Sequence, residues 1–166
     1  MYYIKIFLLY SLIGFVYEST LFKIKHSSKY SGIFYGPITA VYGIGVLAIE
    51  ILNKYFFKKI KTNKYLKYVI EYIVLVVVLT LIEYIGGNVL KIVFDIDMWN
   101  YTKQDMNIGK YICIEYALLW GIAGMIYLHI FKKYTDKILE IFSRKTTITC
   151  FIIFIFDILL VLFTKI

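Results

Sequence analysis

Residues 80–121 read TLIEYIGGNVLKIVFDIDMWNYTKQDMNIGKYICIEYALLWG, and this stretch decides the fold. It joins two strongly apolar segments through a polar, aromatic-rich connection. Each segment carries a glutamate, Glu83 in the first and Glu115 in the second. A charged side chain near the centre of a bilayer costs about 2.5–3.5 kcal/mol on insertion scales. If both segments cross a membrane, we therefore expect the two carboxylates to turn away from lipid and toward other helices.

The composition places the chain in a membrane. Hydrophobic residues make up 61% of its 166 residues, whereas a soluble domain contains about 45–50%. The apolar residues fall in blocks of about 20, which is the length a helix needs to cross the hydrocarbon core. Lipid offers no water to unpaired backbone groups, so these blocks must be helical. Residues 1–166 are predicted to form a single transmembrane domain.

Five blocks are long enough to span the membrane. The predicted spans are residues 2–22, 37–57, 68–94, 110–131 and 147–164. Between the last two, a lysine-rich segment carries Tyr134, Ile138, Ile141 and Phe142 at helical spacing, which predicts an amphipathic helix at the membrane interface. The fold class is therefore all-α, a polytopic integral membrane helical bundle with about five transmembrane helices plus a short interfacial amphipathic helix.

The net charge of +8 is concentrated at the ends of the apolar blocks. This placement is typical of topology signals and of contact with anionic lipid head groups, so we predict a lipid bilayer and no nucleic acid as a partner. Most of the 19 lysine and arginine residues, including Lys5 and those in residues 54–67 and 132–145, fall on one side. The polar linker at residues 23–36 lies on the other. The positive-inside rule then predicts a protein of the bacterial cytoplasmic membrane with its N-terminus in the cytoplasm and its C-terminus outside.

With this topology, three glutamates from three helices lie at similar outer depths. Glu18 is near the outer end of the first span, and Glu83 is in the outer half of the third. Glu115 lies about one and a half turns below the outer end of the fourth, at about 1.5 Å per residue. We predict an acidic cavity that opens to the outer side, and the sequence leaves open whether Asp157 joins it. The alternative is that each acid only hydrogen-bonds a group on a neighbouring helix.

Polar and aromatic neighbours complete the predicted cavity. Tyr10 shares a helical face with Glu18, and Tyr84 adjoins Glu83. The aromatic connection at residues 95–109 predicts either a lid over the cavity or an ordinary aromatic belt at the interface. The candidate substrate-binding residues are Glu18, Glu83, Glu115, Tyr10, Tyr84, Trp99, Tyr101 and Asn107.

No catalytic or metal-ligating set is predicted. Cys113 and Cys150 lie in apolar segments without CxxC or Cys/His spacing, which favours packed free thiols. GxSxG and HExxH arrangements do not occur, although paired carboxylates could serve as acid and base. The sequence identifies no cofactor. It also lacks a GxxxxGK[ST] loop, so ATP hydrolysis through a P-loop would need a partner.

Six short motifs follow one another along residues 7–125. They are YSxxGxxYE at 10–18, GIFYGPITAVYGIG at 32–45, IEYIGG at 82–87, WNY at 99–101, NIGKYIC at 107–113 and LWG at 119–121. In order and spacing they resemble the bacterial ABC transporter type IV family, also called the CmpB-type permease family. The family pattern has Trp after the first glycine and an acid in the loop motif, where this chain has Phe15 and Asn100.

The resemblance implies transport, and together with the buried acids it predicts a transporter or permease component for a small solute or cation. A partner ATPase or a second copy of the chain would complete it. One alternative is a membrane scaffold or sensor subunit without transport of its own. A small lipid-modifying membrane enzyme is less favoured, because the sequence shows no nucleophile arrangement.

Overall fold

The computed structural model describes residues 1–24 and 32–165, except for the side chain of Phe22. Residues 25–31, half of the predicted linker at residues 23–36, therefore lie outside the described residues. The helices are α1 (Tyr2–Ile24), α2 (Ala40–Tyr55), α3 (Lys64–Phe94), α4 (Ile114–Ile126), α5 (Lys132–Ile141) and α6 (Arg144–Lys165). A 3-10 turn (Phe57–Lys59) follows α2, and a π-helical segment (Tyr127–Phe131) joins α4 to α5.

Five helical stretches among the described residues are long and apolar enough to cross a membrane, as the sequence predicted. They are Tyr2–Leu21, Ala40–Lys59, Lys64–Phe94, Ile114–Ile141 and Arg144–Lys165. Large apolar side chains cover their surfaces; Ile85, Ile92 and Phe163, for example, are 57%, 82% and 90% exposed. Apolar surface on this scale suits contact with lipid rather than water.

Several helix ends differ from the predicted spans. α3 begins at Lys64, earlier than predicted, because the Asn63 side chain accepts the Leu66 N–H at 2.8 Å and caps the helix. α4 begins at Ile114 rather than at residue 110, because the preceding residues form an antiparallel pair of short strands, β1 (Asn107–Ile108) and β2 (Ile112–Cys113).

The predicted amphipathic segment is helical and continues α4 through the π-helical segment. Thr135 and Leu139 of α5 are buried, whereas Tyr134, Ile138 and Ile141 are exposed. The apolar face predicted from the sequence is therefore an outward-facing surface of α5. Its position at the membrane interface stays a prediction.

The chain divides into two compact units, each described here by itself. The terminal unit comprises Met1–Ile44 and Thr135–Ile166. Its core includes the rings of Phe7 and Phe154, whose centroids lie 5.1 Å apart. At Gly43, a Cβ would come within 2.6 Å of the Phe7 carbonyl oxygen, so only glycine lets α1 approach the start of α2 this closely.

The central unit, Gly45–Tyr134, is organised by α3 and α4. The two helices are antiparallel, because Trp120 of α4 meets Glu83 of α3 while Gly124 faces Leu75 and Leu79. A Cβ at Gly124 would lie 3.2 Å from both leucine side chains. The small residues of α4 therefore set the close packing of this pair.

Candidate functional site

A buried carboxylate with two aromatic partners lies in the central unit. Glu83 is only 5% exposed. Its Oε1 accepts a hydrogen bond from the Tyr101 hydroxyl at 2.6 Å, and its Oε2 accepts one from Trp120 Nε1 at 3.1 Å. Both donors are neutral. Among the described residues, no Lys, Arg or His forms an ion pair with Glu83.

The loop between α3 and α4 delivers Tyr101 to this carboxylate. Tyr101 donates its backbone N–H to the Lys110 carbonyl at 2.8 Å, and its ring stacks on Tyr116 with centroids 4.9 Å apart. Burial, together with the hydrogen bond to Glu83, raises the pKa of the Tyr101 phenol well above its usual range. Tyr101 therefore stays a neutral hydrogen-bond donor at any physiological pH.

A charged network holds the same loop at its base. Asp97 accepts hydrogen bonds from the Tyr111 hydroxyl at 2.6 Å and from Lys110 Nζ at 2.7 Å, and Lys91 Nζ lies 3.8 Å away. These donors lower the pKa of the Asp97 carboxyl below its ordinary value, with the Lys110 bond the largest cause. The Tyr111 ring also packs against Gly87, where a Cβ would lie 2.8 Å from it.

The other candidate residues of the central unit lie outside this cluster of hydrogen bonds. Trp99 packs against Tyr111 with ring centroids 6.4 Å apart. Asn107 donates to the Gly109 carbonyl within its own hairpin, at 2.9 Å. Glu115 is exposed, and Tyr84 is 44% exposed. The structure thus joins Glu83 to Tyr101 and adds Trp120, which the sequence analysis did not select.

The remaining candidates belong to the terminal unit. Glu18 accepts a hydrogen bond from the Tyr42 hydroxyl at 3.2 Å, and the Tyr10 hydroxyl lies 2.6 Å from Thr135 Oγ1. Asp157 is 7% exposed. Its two oxygens accept the backbone N–H groups of residues 35 and 36 at 3.0 and 2.8 Å. Asp157 therefore holds the glycine-rich segment that precedes α2.

Two further buried glutamates of the central unit were missed as site residues. Glu50 accepts the Tyr127 hydroxyl at 2.5 Å and both of its oxygens bind Lys132 Nζ, at 2.7 and 2.8 Å. Glu71 is 2% exposed and lies 2.8 Å from His129 Nε2. The sequence offers no sign of the π-helical segment that presents Tyr127 and His129. Such segments occur frequently at functional sites.

The comparisons with known proteins agree with this membrane architecture. A family model described as Putative ABC-transporter type IV matches residues 5–164. No curated protein and no solved structure matches the chain. The matched range extends beyond the motifs at residues 7–125 and takes in α6 with its buried Asp157.

Proposed function

The chain belongs to the ABC-transporter type IV family, and on this premise we propose that it is a permease component whose solute-binding group is Glu83. Family membership and five helices able to span a bilayer make it a multi-pass membrane protein of the transporter type. The proposed solute is a proton or a small cation, because the group that would bind it is a carboxylate. The partners of that carboxylate carry the proposal.

Glu83 differs in its partners from the other buried glutamates of the central unit. Glu50 meets the ammonium group of Lys132 at 2.7 Å, and Glu71 lies 2.8 Å from His129. Glu83 meets only neutral donors in the part of the chain that the structure describes. A buried charge is costly unless an opposite charge neutralises it. A proton or a bound cation would complete the Glu83 site.

Movement of Tyr101 would let a cation enter or leave the site. The Tyr101 hydroxyl donates to Glu83 Oε1 from the loop, so its withdrawal would free this oxygen to bind an entering cation. Trp120 reaches the other oxygen from α4 and would keep the carboxylate oriented meanwhile. The predicted substrate-binding roles of Glu18 and of Glu115 are part of this proposal, each within its own unit.

We further propose that a partner ATPase supplies the energy. The chain lacks a P-loop sequence, whereas exposed lysines crowd the turn between α2 and α3. The positive-inside rule places this turn in the bacterial cytoplasm, where an ATPase would dock. Detergent-solubilised protein should then co-purify with an ATPase. Loss of that ATPase on changing Lys58, Lys59 and Lys61 to glutamine would support docking there, and unchanged co-purification would exclude it.

Flux measurements in proteoliposomes test the role of Glu83. Two probes are followed under an inside-negative potassium diffusion potential: protons, with entrapped pyranine, and radiolabelled methylammonium. Glu83→Gln should abolish flux of at least one probe. The fold should tolerate this change, because an amide oxygen can accept from Trp120 while its NH₂ group donates to the Tyr101 oxygen.

The matched control is Glu140→Gln, which changes an exposed glutamate and should leave the flux unchanged. The triple variant in which Glu18, Glu83 and Glu115 are all changed to glutamine should lose all flux. Unchanged flux in that variant would refute the transport proposal. Wild-type protein that carries neither probe, alone or with its co-purified ATPase, would favour the scaffold or sensor alternative.

Cysteine labelling tests the proposed orientation in a variant without Cys113 and Cys150. Lys61 lies in the turn assigned to the cytoplasm and Lys103 in the loop assigned to the outside, and both are exposed. A membrane-impermeant maleimide should label Lys103→Cys in intact cells and Lys61→Cys only after permeabilisation. The reverse result would place the N-terminus outside.

A further inference from the structure

An open polar cavity of about 500 Å³ lies beside the first turns of α3 in the central unit. Its lining comes from the end of α2, the turn that follows, α3 and the π-helical segment. The polar residues that line it are Asn53, Thr62, Lys64, Lys67, Glu71 and His129. Its volume is within the range of about 300–1,000 Å³ that is typical of small-molecule sites.

The charges around the cavity favour an anion. Glu71 is the acid of the lining, and it is 2% exposed and already paired with His129 at 2.8 Å and Lys67 at 3.9 Å. Lys64 forms no ion pair with any described residue; its Nζ lies 5.7 Å from the centre of the Tyr68 ring. The cavity therefore presents positive charge that the protein itself does not neutralise.

Hydrogen-bond donors reinforce this preference. The side chains of Asn53 and Thr62 make no hydrogen bond to any other residue within 1–24 and 32–165, so the amide and hydroxyl can both donate to a ligand. The cavity also adjoins the N-terminus of the 31-residue helix α3. The partial positive charge of a helix N-terminus adds to the attraction for an anion.

The position of the cavity indicates what kind of anion it meets. It lies where the candidate spans Ala40–Lys59 and Lys64–Phe94 face each other across their short connecting turn. The ends of membrane spans lie at the depth of the lipid head groups. Basic pockets between transmembrane helices on the cytoplasmic side are suited to phosphate-bearing head groups.

We propose that this cavity binds a phosphate group, that of an anionic phospholipid such as phosphatidylglycerol. Lys64 and Lys67 neutralise the phosphate, while Asn53 and Thr62 donate hydrogen bonds to the head group. The site is separate from Glu83, which lies 12 residues beyond Glu71 along α3, a distance of about 18 Å at a rise of about 1.5 Å per residue.

Native mass spectrometry of the detergent-purified protein tests the proposal. Phosphatidylglycerol is titrated and its adducts are compared with those of phosphatidylcholine, which is zwitterionic. The double variant Lys64→Gln, Lys67→Gln should bind phosphatidylglycerol about 30-fold more weakly, since each lysine that lies beside the bound phosphate contributes about a fivefold factor. The control Lys58→Gln, Lys59→Gln removes the same charge from the same segment but outside the cavity. It should change binding by less than about threefold, because salt screens the attraction between these exposed lysines and the phosphate.

Two neutral variants keep the proposal testable if loss of Lys67 disturbs Glu71. Asn53→Leu and Thr62→Val leave every charge in place, and each should weaken phosphatidylglycerol binding severalfold. Equal losses in the cavity and control lysine variants, with none in the neutral variants, would show diffuse attraction to the basic segment and overturn the assigned site.

A separate arm distinguishes the source of the phosphate. Inorganic phosphate is added at constant ionic strength while the melting temperature of the protein is followed. We expect phosphatidylglycerol to raise the melting temperature, and inorganic phosphate to have no such effect. Stabilisation by inorganic phosphate that disappears in Asn53→Leu would assign the cavity to free phosphate and overturn the lipid assignment.

Discussion

The hydrogen bond between Tyr101 and Glu83 can be tested by removing one oxygen atom. Tyr101→Phe deletes the hydroxyl that donates to Glu83 Oε1 at 2.6 Å and keeps the ring that stacks on Tyr116. A hydrogen bond to a charged group contributes about 1.5–3 kcal/mol, and its loss here leaves a buried carboxylate oxygen without its donor. We therefore expect the free energy of unfolding to fall by about 2 kcal/mol.

Equilibrium unfolding in mixed micelles of dodecyl maltoside and sodium dodecyl sulfate measures this loss. The matched control is Tyr116→Phe, from the other ring of the stack. The Tyr116 hydroxyl has no hydrogen-bond partner in residues 1–24 and 32–165, so its removal should change stability by no more than about 0.5 kcal/mol. Equal effects of the two substitutions on stability would refute a hydrogen bond between the Tyr101 hydroxyl and Glu83.

A double-mutant cycle separates the hydrogen bond from general damage to the loop. Glu83→Gln removes the charge, so Tyr101→Phe should cost less in that background than in the wild type. The coupling energy should be about 1–2 kcal/mol if the contact is direct, because interacting pairs typically couple by 0.5–3 kcal/mol. Additive effects would indicate that Tyr101 stabilises the loop independently of Glu83.

Three other perturbations have controls within the chain. Gly121→Ala should destabilise the protein by about 1–3 kcal/mol through overpacking, because a Cβ there would lie 2.8 Å from a tyrosine ring atom. The control Gly86→Ala adds a Cβ at an ordinary contact distance of 3.7 Å and should not destabilise the protein. Unfolding in mixed micelles measures both. Lys132→Met should cost about 3–5 kcal/mol in the same assay, because it strands a buried carboxylate, whereas the exposed Lys133→Met should cost little. The pKa of Asp97 is lower in the folded protein than its ordinary value of 3.8. The stability that the Asp97 carboxylate gives the loop is therefore fully present above pH 3.8 and is lost as the pH falls through the lower pKa of the folded protein. Amide exchange in the loop should therefore accelerate only in strong acid, and this acid dependence should disappear in Asp97→Asn.

The sequence predicts the fold class because hydrophobic length is a property of each segment by itself. All five spans follow from blocks of about 20 apolar residues. The ends of the spans depend on local geometry, which hydropathy does not contain. Residues 107–113 look like the start of a helix because Tyr111, Ile112 and Cys113 are apolar, yet Gly109 at φ +68° turns them into a hairpin. Glycine adopts this left-handed conformation without the strain of a Cβ.

The candidate site was predictable only where a polar residue stands out against an apolar background. Glu83 was selected in this way, and Tyr101 was selected as part of the aromatic connection at residues 95–109; the structure joins them. Trp120 was not selected, since an indole in an apolar helix looks like packing until its N–H is seen to donate to Glu83. The hydrogen-bond donors to Asp157 are backbone N–H groups, which no pattern of side chains can reveal.

One face of α3 carries two of the buried acids of the central unit, Glu71 and Glu83. Glu71, Leu75, Leu79, Glu83 and Gly87 recur every four residues and are all buried, so they form one stripe along the helix. The acid paired with histidine and the acid with neutral donors are thus separated by two leucines, which pack against a glycine of α4. If Glu83 binds the transported cation, this leucine layer is the barrier between it and the opposite end of the unit. Alternating access would then require α3 and α4 to shift where Gly121 and Gly124 of α4 pack against α3.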